Sequence, residues 1–123
     1  MNASMPNEIG KKTWVITESS ITTVNREPEP GLISHETASI LNVSDKTARL
    51  VITLYFSDRE PAGPYEFEIP PRRTKYISFN DLNDPEPIPR DTVFSIVILA
   101  DIPVVVQHAR LNPVPGTITY AAG

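Results

Sequence analysis

Residues 47–56 read TARLVITLYF, and this stretch decides the fold class. Its apolar residues recur at every second position: Ala48, Leu50, Ile52, Leu54 and Phe56. Because successive side chains of a β-strand point to opposite faces, a period of two predicts a strand with one face on a core. No glycine or proline interrupts the run, and branched and aromatic side chains are frequent, which favours a central strand.

Other short segments have the same character and are separated by turn-forming or proline-rich residues. The candidate strands are 13–18, 36–43, 47–56, 65–69, 74–79, 93–100, 103–111 and 117–121. Seven or eight short strands at intervals of roughly ten residues, without helical periodicity, are typical of a β-sandwich or barrel. We expect an all-β protein, a single-domain antiparallel β-sandwich.

Two hairpins are predicted from the spacing of these strands. Only Ser44, Asp45, Lys46 and their immediate neighbours separate strand 36–43 from strand 47–56, so these two should pair with each other. Strands 93–100 and 103–111 meet at Asp101 and Ile102, which predicts a second hairpin, buried on much of both faces.

Composition excludes several classes of function. A chain of 123 residues can bury a sizeable core as one domain without a metal or disulfide. The absence of cysteine excludes disulfides, thiolate zinc sites and cysteine nucleophiles. A net charge of -4 makes nucleic acid an unfavourable partner, since binding to a phosphate backbone depends on Lys and Arg.

The sequence also predicts where the protein resides. No apolar run approaches the ~20 residues needed to span a bilayer, so membrane insertion is not expected. Residues 1–10 lack the basic and apolar regions of a signal peptide, and we expect a disordered tail there, followed by one domain at 11–123. A cytoplasmic location is the resulting expectation.

The densest positive cluster comprises Arg72, Arg73 and Lys75. Guanidinium groups suit carboxylates, phosphates or vicinal hydroxyls, so the cluster is a candidate binding site. The alternative is a solvated strand end whose charges pair with Glu66 or Glu68.

Two histidines lie beside other charged residues. His35 precedes Glu36, whereas His108 and Arg110 share a strand face with two valines and should lie at the edge of the core or in a pocket. Two histidines and a carboxylate could bind a metal, but the His-x-His spacing is missing, and structural histidines are the alternative we favour. Trp14 is either a core residue or a stacking platform.

Strand alternation refines the site hypothesis. If strand 74–79 is extended, Arg73 and Lys75 share a face and Arg72 points elsewhere. We hypothesise that Arg73 and Lys75 converge with His108 and Arg110 at one polar site for an uncharged or anionic metabolite. No Gly-x-Ser-x-Gly turn or glycine-rich phosphate loop is present, so signals for catalysis are weak.

Several segments, taken together and in order, resemble the Anabaena sensory rhodopsin transducer family over about residues 11–120. They are ISHET at 33–37, ILN at 40–42, YFSDREP at 55–61, GPY at 63–65, PRRTK at 71–75, FNDLNDP at 79–85, PIP at 87–89, PVVVQH at 103–108 and RL at 110–111. The resemblance implies a small soluble β-sandwich that assembles as a homotetramer and binds small molecules, with sugars the usual suggestion. The family name comes from a member coupled to a membrane photoreceptor, and no catalytic motif defines the family.

The leading functional expectation is a cytoplasmic module that binds a small polar ligand, such as a sugar or an anionic metabolite, and acts in sensing without catalysis, cofactor or metal. An adaptor for a membrane receptor such as a sensory rhodopsin, and a carbohydrate-active or metal-dependent enzyme, are the alternatives. A pocket for a hydroxylated ligand combines an aromatic face with charged and amide groups. The candidate ligand contacts are Trp14, His35, Glu36, Arg72, Arg73, Lys75, Asn80, His108 and Arg110.

Overall fold

A computed structural model describes residues 9–24, 32–111 and 118–122. The described part contains no α-helix and consists of strands and one 3-10 turn at Phe79–Asp81, which confirms the all-β prediction. The strands are β1 Lys11–Ser19, β2 Thr23–Val24, β3 Leu32–Ile33, β4 His35–Asn42, β5 Ala48–Phe56, β6 Ala62–Ile69, β7 Arg73–Ser78, β8 Phe94–Leu111 and β9 Ile118–Ala122.

The strand β8 organises the sheet. Its N-terminal half pairs with β5 on one side and β1 on the other, and its C-terminal half pairs with β4 and β9. Beyond these, β6 pairs with β5 and β7 pairs with β4, and every pairing is antiparallel. The first layer therefore comprises β6, β5, the N-terminal half of β8 and β1. The second layer comprises β7, β4, the C-terminal half of β8 and β9.

Both layers turn their buried side chains toward one core, which makes the fold a sandwich whose layers share a strand. The alternation predicted for residues 47–56 is confirmed, since Ala48, Leu50, Ile52 and Leu54 are at most 1% exposed. The intervening side chains of β5 point outward. Burying this apolar face is the main source of stability for such a domain.

The predicted hairpin of 36–43 with 47–56 is wrong. The strand β4 pairs with β7 and β8, whereas β5 pairs with β6 and β8, so the two strands lie in different layers. The buried Asn42 explains the crossing: its Nδ2 donates to the carbonyl oxygens of Lys46 (2.7 Å), Ile69 (3.0 Å) and Pro70 (3.2 Å). These bonds hold the 43–47 connection as an arch between layers instead of a tight turn within one.

The predicted hairpin at Asp101 and Ile102 is also wrong, because β8 runs without a turn over eighteen residues. Even-numbered residues face inward on both sides of this point, for example Ile98 and Val104. Asp101 does not form a turn. Its Oδ1 accepts a hydrogen bond of 2.8 Å from the backbone N–H of Arg49 and so holds the start of β5. The strand β8 is apolar because it lies inside the sheet, with a paired strand on each side, and not because it forms a hairpin.

The other predicted strands are present with small differences in their bounds. Segments 13–18, 65–69 and 74–79 fall in β1, β6 and β7, except that Phe79 begins the 3-10 turn. The last strand lies at Ile118–Ala122. Most of the predicted N-terminal tail, residues 1–8, lies outside the described residues.

Candidate functional site

Glu36 is the centre of a buried polar cluster. Its side chain is fully buried on the inner face of β4, and Arg110 and His108 reach it from the neighbouring strand β8. The Oε1 atom accepts hydrogen bonds from Arg110 Nε at 2.6 Å and from the backbone N–H of Ser20 at 3.2 Å. The Oε2 atom bonds His108 Nε2. Three of the nine candidate ligand contacts, Glu36, His108 and Arg110, are therefore in direct contact.

The donors around Glu36 keep it ionised. Burial by itself raises the pKa of a carboxyl group, but the hydrogen bonds from His108 and Arg110 outweigh burial here. The net result is that the pKa of Glu36 lies below its ordinary value of 4.5. Because an ionised carboxylate only accepts hydrogen bonds, the contact with Glu36 requires a hydrogen on His108 Nε2.

Asn80 and two connecting segments extend this cluster. The backbone N–H of Glu36 donates to Asn80 Oδ1 (3.0 Å), and Asn80 Nδ2 donates to the carbonyl of Ser34 (2.9 Å). The Ser34 hydroxyl in turn accepts from the backbone N–H of Thr22 (2.9 Å). Ser20 connects these segments back to Arg110. Its hydroxyl forms a hydrogen bond with the Thr22 hydroxyl (2.9 Å) and accepts one from Arg110 Nη2 (3.3 Å).

Sequence reasoning placed Asn80 in the site but missed Ser20, Thr22 and Ser34. These three residues come from irregular segments, where no period of two marks a side chain as inward. The cluster joins β4, β8, the segment after β1 and the 3-10 turn. Its carboxylate accepts three hydrogen bonds, two on Oε1 and one on Oε2, and all three donors belong to the protein. Among the described residues, no group of three His, Asp or Glu side chains is placed to hold a metal ion.

Two other predicted site residues are separate from this cluster. His35 precedes Glu36 on β4, and its exposed side chain points to the opposite face. Trp14 is partly buried against the core, and its Nε1 donates to the carbonyls of Val104 and Lys11, both at 3.0 Å. Trp14 thus has the geometry of a structural residue.

The basic residues do not converge with His108 and Arg110, so that hypothesis is wrong. Arg73 pairs with Asn42 at one end of β4, and Arg110 pairs with Glu36 near the other end, six residues or about 20 Å away. Both β7 and β8 run antiparallel to β4, so they are parallel to each other. The start of one and the end of the other therefore lie at opposite ends of the second layer.

The basic residues also form contacts other than the predicted ones. Arg72 bonds Asp45 at 2.6 Å, and Arg73 donates to the carbonyl of Arg72 at 3.1 Å. Lys75 Nζ lies 5.9 Å from the centre of the Phe67 ring. Glu68 pairs with Arg49 instead.

A cleft of about 230 Å³ lies on the outer surface of the second layer. Tyr76, Ser39 and Gln107 occupy adjacent register positions on β7, β4 and β8, and the Tyr76 side chain is 68% exposed. The cleft presents hydroxyl, amide, phenol and aliphatic groups. The full lining comprises Thr37, Ser39, Tyr76, Gln107, Ala109, Arg110 and Leu111.

Arg110 belongs to both the cleft and the buried cluster, and its side chain is 29% exposed. It is the one cleft residue that sequence reasoning had selected. For the other cleft residues the available signal is a polar residue at an outward strand position, such as Ser39 or Gln107, which is common at protein surfaces. A larger depression of about 480 Å³ lies over β5 and β6. It is lined by the exposed Arg49–Glu68 ion pair, and its described lining contains no hydroxyl or amide side chain.

The part of the chain that the structure describes contains no helix long and apolar enough to span a membrane. Comparison with curated proteins gave no match. The chain is 53% identical to a solved structure described as the Anabaena sensory rhodopsin transducer, with a TM-score of 0.75 over 85% of this chain and 91% of that one. A protein designated Thermotoga maritima 1070 is 30% identical, with a TM-score of 0.74, and the match covers 93% of this chain and 91% of that one.

A family model provides the broadest comparison. The model described as Anabaena sensory rhodopsin transducer matches residues 9–121, nearly the whole chain. This match agrees with the resemblance seen in the sequence motifs and with the two related structures. The chain therefore belongs to the Anabaena sensory rhodopsin transducer family.

Proposed function

We propose that this chain is a non-catalytic sensing domain that binds a small, uncharged polar ligand, such as a sugar, in the cleft over the second layer. The observation that carries the proposal is the exposed ring of Tyr76 beside Ser39 and Gln107, with Arg110 at the same cleft. An aromatic face with a few convergent polar groups is the usual design of a site for a hydroxylated ligand. The volume of about 230 Å³ favours a single ring over a larger molecule.

Charge favours an uncharged ligand over an anionic one. Arg110 is already paired with the carboxylate of Glu36, so an anion in the cleft would have to compete with Glu36 for it. Arg73 and Lys75, which were expected to add positive charge, alternate with the outward Tyr76 and therefore point to the face away from the cleft. A hydroxyl group can accept a hydrogen bond from a guanidinium that is already neutralised, without breaking that pair.

The same arginine provides a route for sensing. A ligand that contacts Arg110 also acts on the hydrogen bonds that Arg110 makes with Glu36 and Ser20. Those bonds hold the segment after β1 against β4 and β8. Occupancy of the cleft is thereby coupled to the packing of a connection outside it. Glu36 is fully buried and both of its carboxylate oxygens already accept hydrogen bonds from the protein, which disfavours a role as a general base.

A thermal-shift screen with neutral hexoses and the matching hexuronic acids tests the proposal. We expect a neutral hexose to raise the melting temperature of the protein, and Tyr76→Ala to abolish that rise. Tyr55→Ala is the matched control, because Tyr55 is a 47% exposed tyrosine on the other layer. Stabilisation by the acids alone would contradict an uncharged ligand, and stabilisation that survives in Tyr76→Ala would place the ligand elsewhere.

We further propose that the protein is a homotetramer and that the outer surface of the first layer contributes to the contact. Leu99 lies between Thr13 and Val51 in the register, and Val97 lies between Val15 and Thr53. Val15, Val51 and Leu99 are exposed, so the patch is apolar and open in the single chain. Contiguous apolar surface of this kind is typical of association sites. Sedimentation equilibrium should give four times the mass of the chain, and a monomer at micromolar concentration would contradict this.

A second candidate function is that of an adaptor in the cytoplasm for a sensory rhodopsin. The 53% identity to the Anabaena sensory rhodopsin transducer favours it. Binding to a sensory rhodopsin in lipid nanodiscs, measured by calorimetry with empty nanodiscs as the control, tests this directly. Equal heats with and without the rhodopsin would remove the adaptor function and leave the ligand-binding function standing.

A further inference from the structure

The outer edge of β7 is unpaired in the described part of the chain. The strand pairs with β4 from Ser78 to Arg73, and no described strand lies on its other side. Arg73, Thr74, Lys75 and Tyr76 are all exposed, although consecutive residues of a strand point to opposite faces. This part of β7 therefore extends past the core, and both of its faces and its edge are open.

Two of the three basic residues at this edge, Arg73 and Lys75, have no carboxylate partner among the described residues. Arg73 donates only to backbone carbonyls, and Lys75 lies over the Phe67 ring, so neither is paired with a described carboxylate. Arg72 pairs with Asp45, but both side chains are at least 70% exposed, and such a pair contributes little. In a chain of net charge -4, the edge formed by Arg72, Arg73 and Lys75 is a local positive surface.

We propose that this edge binds an acidic peptide segment in an extended conformation, which adds to the second layer as a further strand. Unpaired backbone groups on a strand edge provide hydrogen bonds for a peptide, and the side chains beside them provide selectivity. Acidic residues at every second position of the peptide can face Arg73 and Lys75. The residues between them then face Thr74 and Tyr76.

Charge also decides against a second copy of the chain as the occupant. Two such edges placed side by side would bring Arg73 and Lys75 near their own equivalents, and like charges across a strand pair are destabilising. The same charges attract an acidic strand and raise its rate of encounter. This binding site goes beyond the ligand cleft, with which it shares only Tyr76.

The test uses the full chain and ten-residue peptides of alternating Glu and Val, labelled for fluorescence anisotropy. We expect saturable binding of this peptide, weakened at high salt. A peptide with Lys in place of Glu should not bind. A peptide with Pro in place of two central Val residues keeps the charge but lacks two N–H donors, so it should bind more weakly than the parent.

Charge reversal at the edge provides the site test. In the double variant Arg73→Glu, Lys75→Glu, the affinity for the Glu peptide should fall by about tenfold or more, and the Lys peptide should begin to bind. The control is Lys11→Glu, Lys12→Glu, which changes the net charge by the same amount at the start of β1 and should leave the affinity unchanged.

Several results would overturn the proposal. They are the absence of binding at millimolar Glu peptide, equal affinity for the proline peptide, and an equal loss of affinity in the control variant. Binding of a DNA duplex or of vesicles rich in phosphatidylserine, without binding of the Glu peptide, would also overturn it in favour of a phosphate-binding surface. Ligand binding in the cleft is measured separately by the sugar screen, so either proposal can fail alone.

Discussion

The two outer surfaces of the sandwich differ in chemistry although one strand contributes to both. In the N-terminal half of β8 the outward residues include Val97 and Leu99, and in the C-terminal half they include Gln107 and Ala109. The first layer therefore presents valines and Leu99 beside threonines, whereas the second presents hydroxyl and amide groups around Tyr76 together with the exposed Leu41 and Leu111. Since the inward residues of β8 are apolar for most of its length, the core does not require this difference. We infer that the two surfaces serve different partners.

The largest effect on stability is expected from Glu36, the buried carboxylate in the second layer. Glu36→Ala leaves His108 and Arg110 without their carboxylate, and breaking a buried pair in this way costs about 3–5 kcal/mol of unfolding free energy. Glu66→Ala, an exposed carboxylate on the outer face of β6, is the control and should change stability by about 0.5 kcal/mol or less. Urea denaturation measures both, and equal midpoints would mean that the cluster does not stabilise the fold.

Truncating a side chain of the core between the two layers should lower the unfolding free energy almost as much. Ile52→Ala removes a fully buried side chain from the middle of β5 and is expected to cost about 2–5 kcal/mol. Val43→Ala removes an exposed branched side chain and should cost far less. An unchanged denaturation midpoint for Ile52→Ala would contradict the assignment of the inner face.

The pH dependence of stability follows from Glu36. Its pKa is lowered in the folded protein, so the contribution of its ionised form is complete above the ordinary value of 4.5. That contribution is lost as the pH falls from there through the folded-state pKa. Glu36→Gln should flatten the decline in melting temperature between about pH 5 and pH 3. A decline as steep as in the unmodified protein would assign acid sensitivity to other carboxylates.

Local sequence patterns predicted the strands and their faces but not their partners. The alternation through Ile52 is a local property, and it correctly identified the inner face. Register is set by contacts between distant segments, so the sequence could not place Arg73 and Arg110 at opposite ends of a layer. The hairpin after β4 was predicted because the linking segment is short. The structure differs because the Asn42 side chain donates to the carbonyls of Lys46, at the end of the linking segment, and of Ile69 and Pro70, at the end of β6. These bonds hold the linking segment as an arch between the layers.

Site residues on the long strands could be predicted from the sequence, whereas those outside the strands, or brought together from different strands, could not. His108 and Arg110 were recognisable because they share a strand face with two valines, whereas Glu36 was selected only as a carboxylate beside His35. Ser20 and Thr22 lie outside the long strands, where side-chain direction does not follow from position. Tyr76 and Gln107 lie on different strands, and only the register of β7, β4 and β8 brings them to one cleft.

The smallest changes in unfolding free energy are expected from two matched substitutions, one on each outer surface. They should affect different properties, tetramer assembly in one case and hexose binding in the other. Leu99→Glu places a charge in the aliphatic patch and should dissociate the proposed tetramer in sedimentation equilibrium. Gln107→Glu places the same charge over the second layer and should leave the tetramer intact while weakening hexose binding. Dissociation by Gln107→Glu, with Leu99→Glu still tetrameric, would reverse the roles of the two surfaces.

The most direct test of the cleft is an amide NMR titration of the unmodified protein with the hexose that gives the largest thermal shift. We predict changes in chemical shift for Ser39, Tyr76 and Gln107, with Val51, Val97 and Leu99 unaffected. Perturbations confined to the first layer, or no perturbation of the second, would contradict the account.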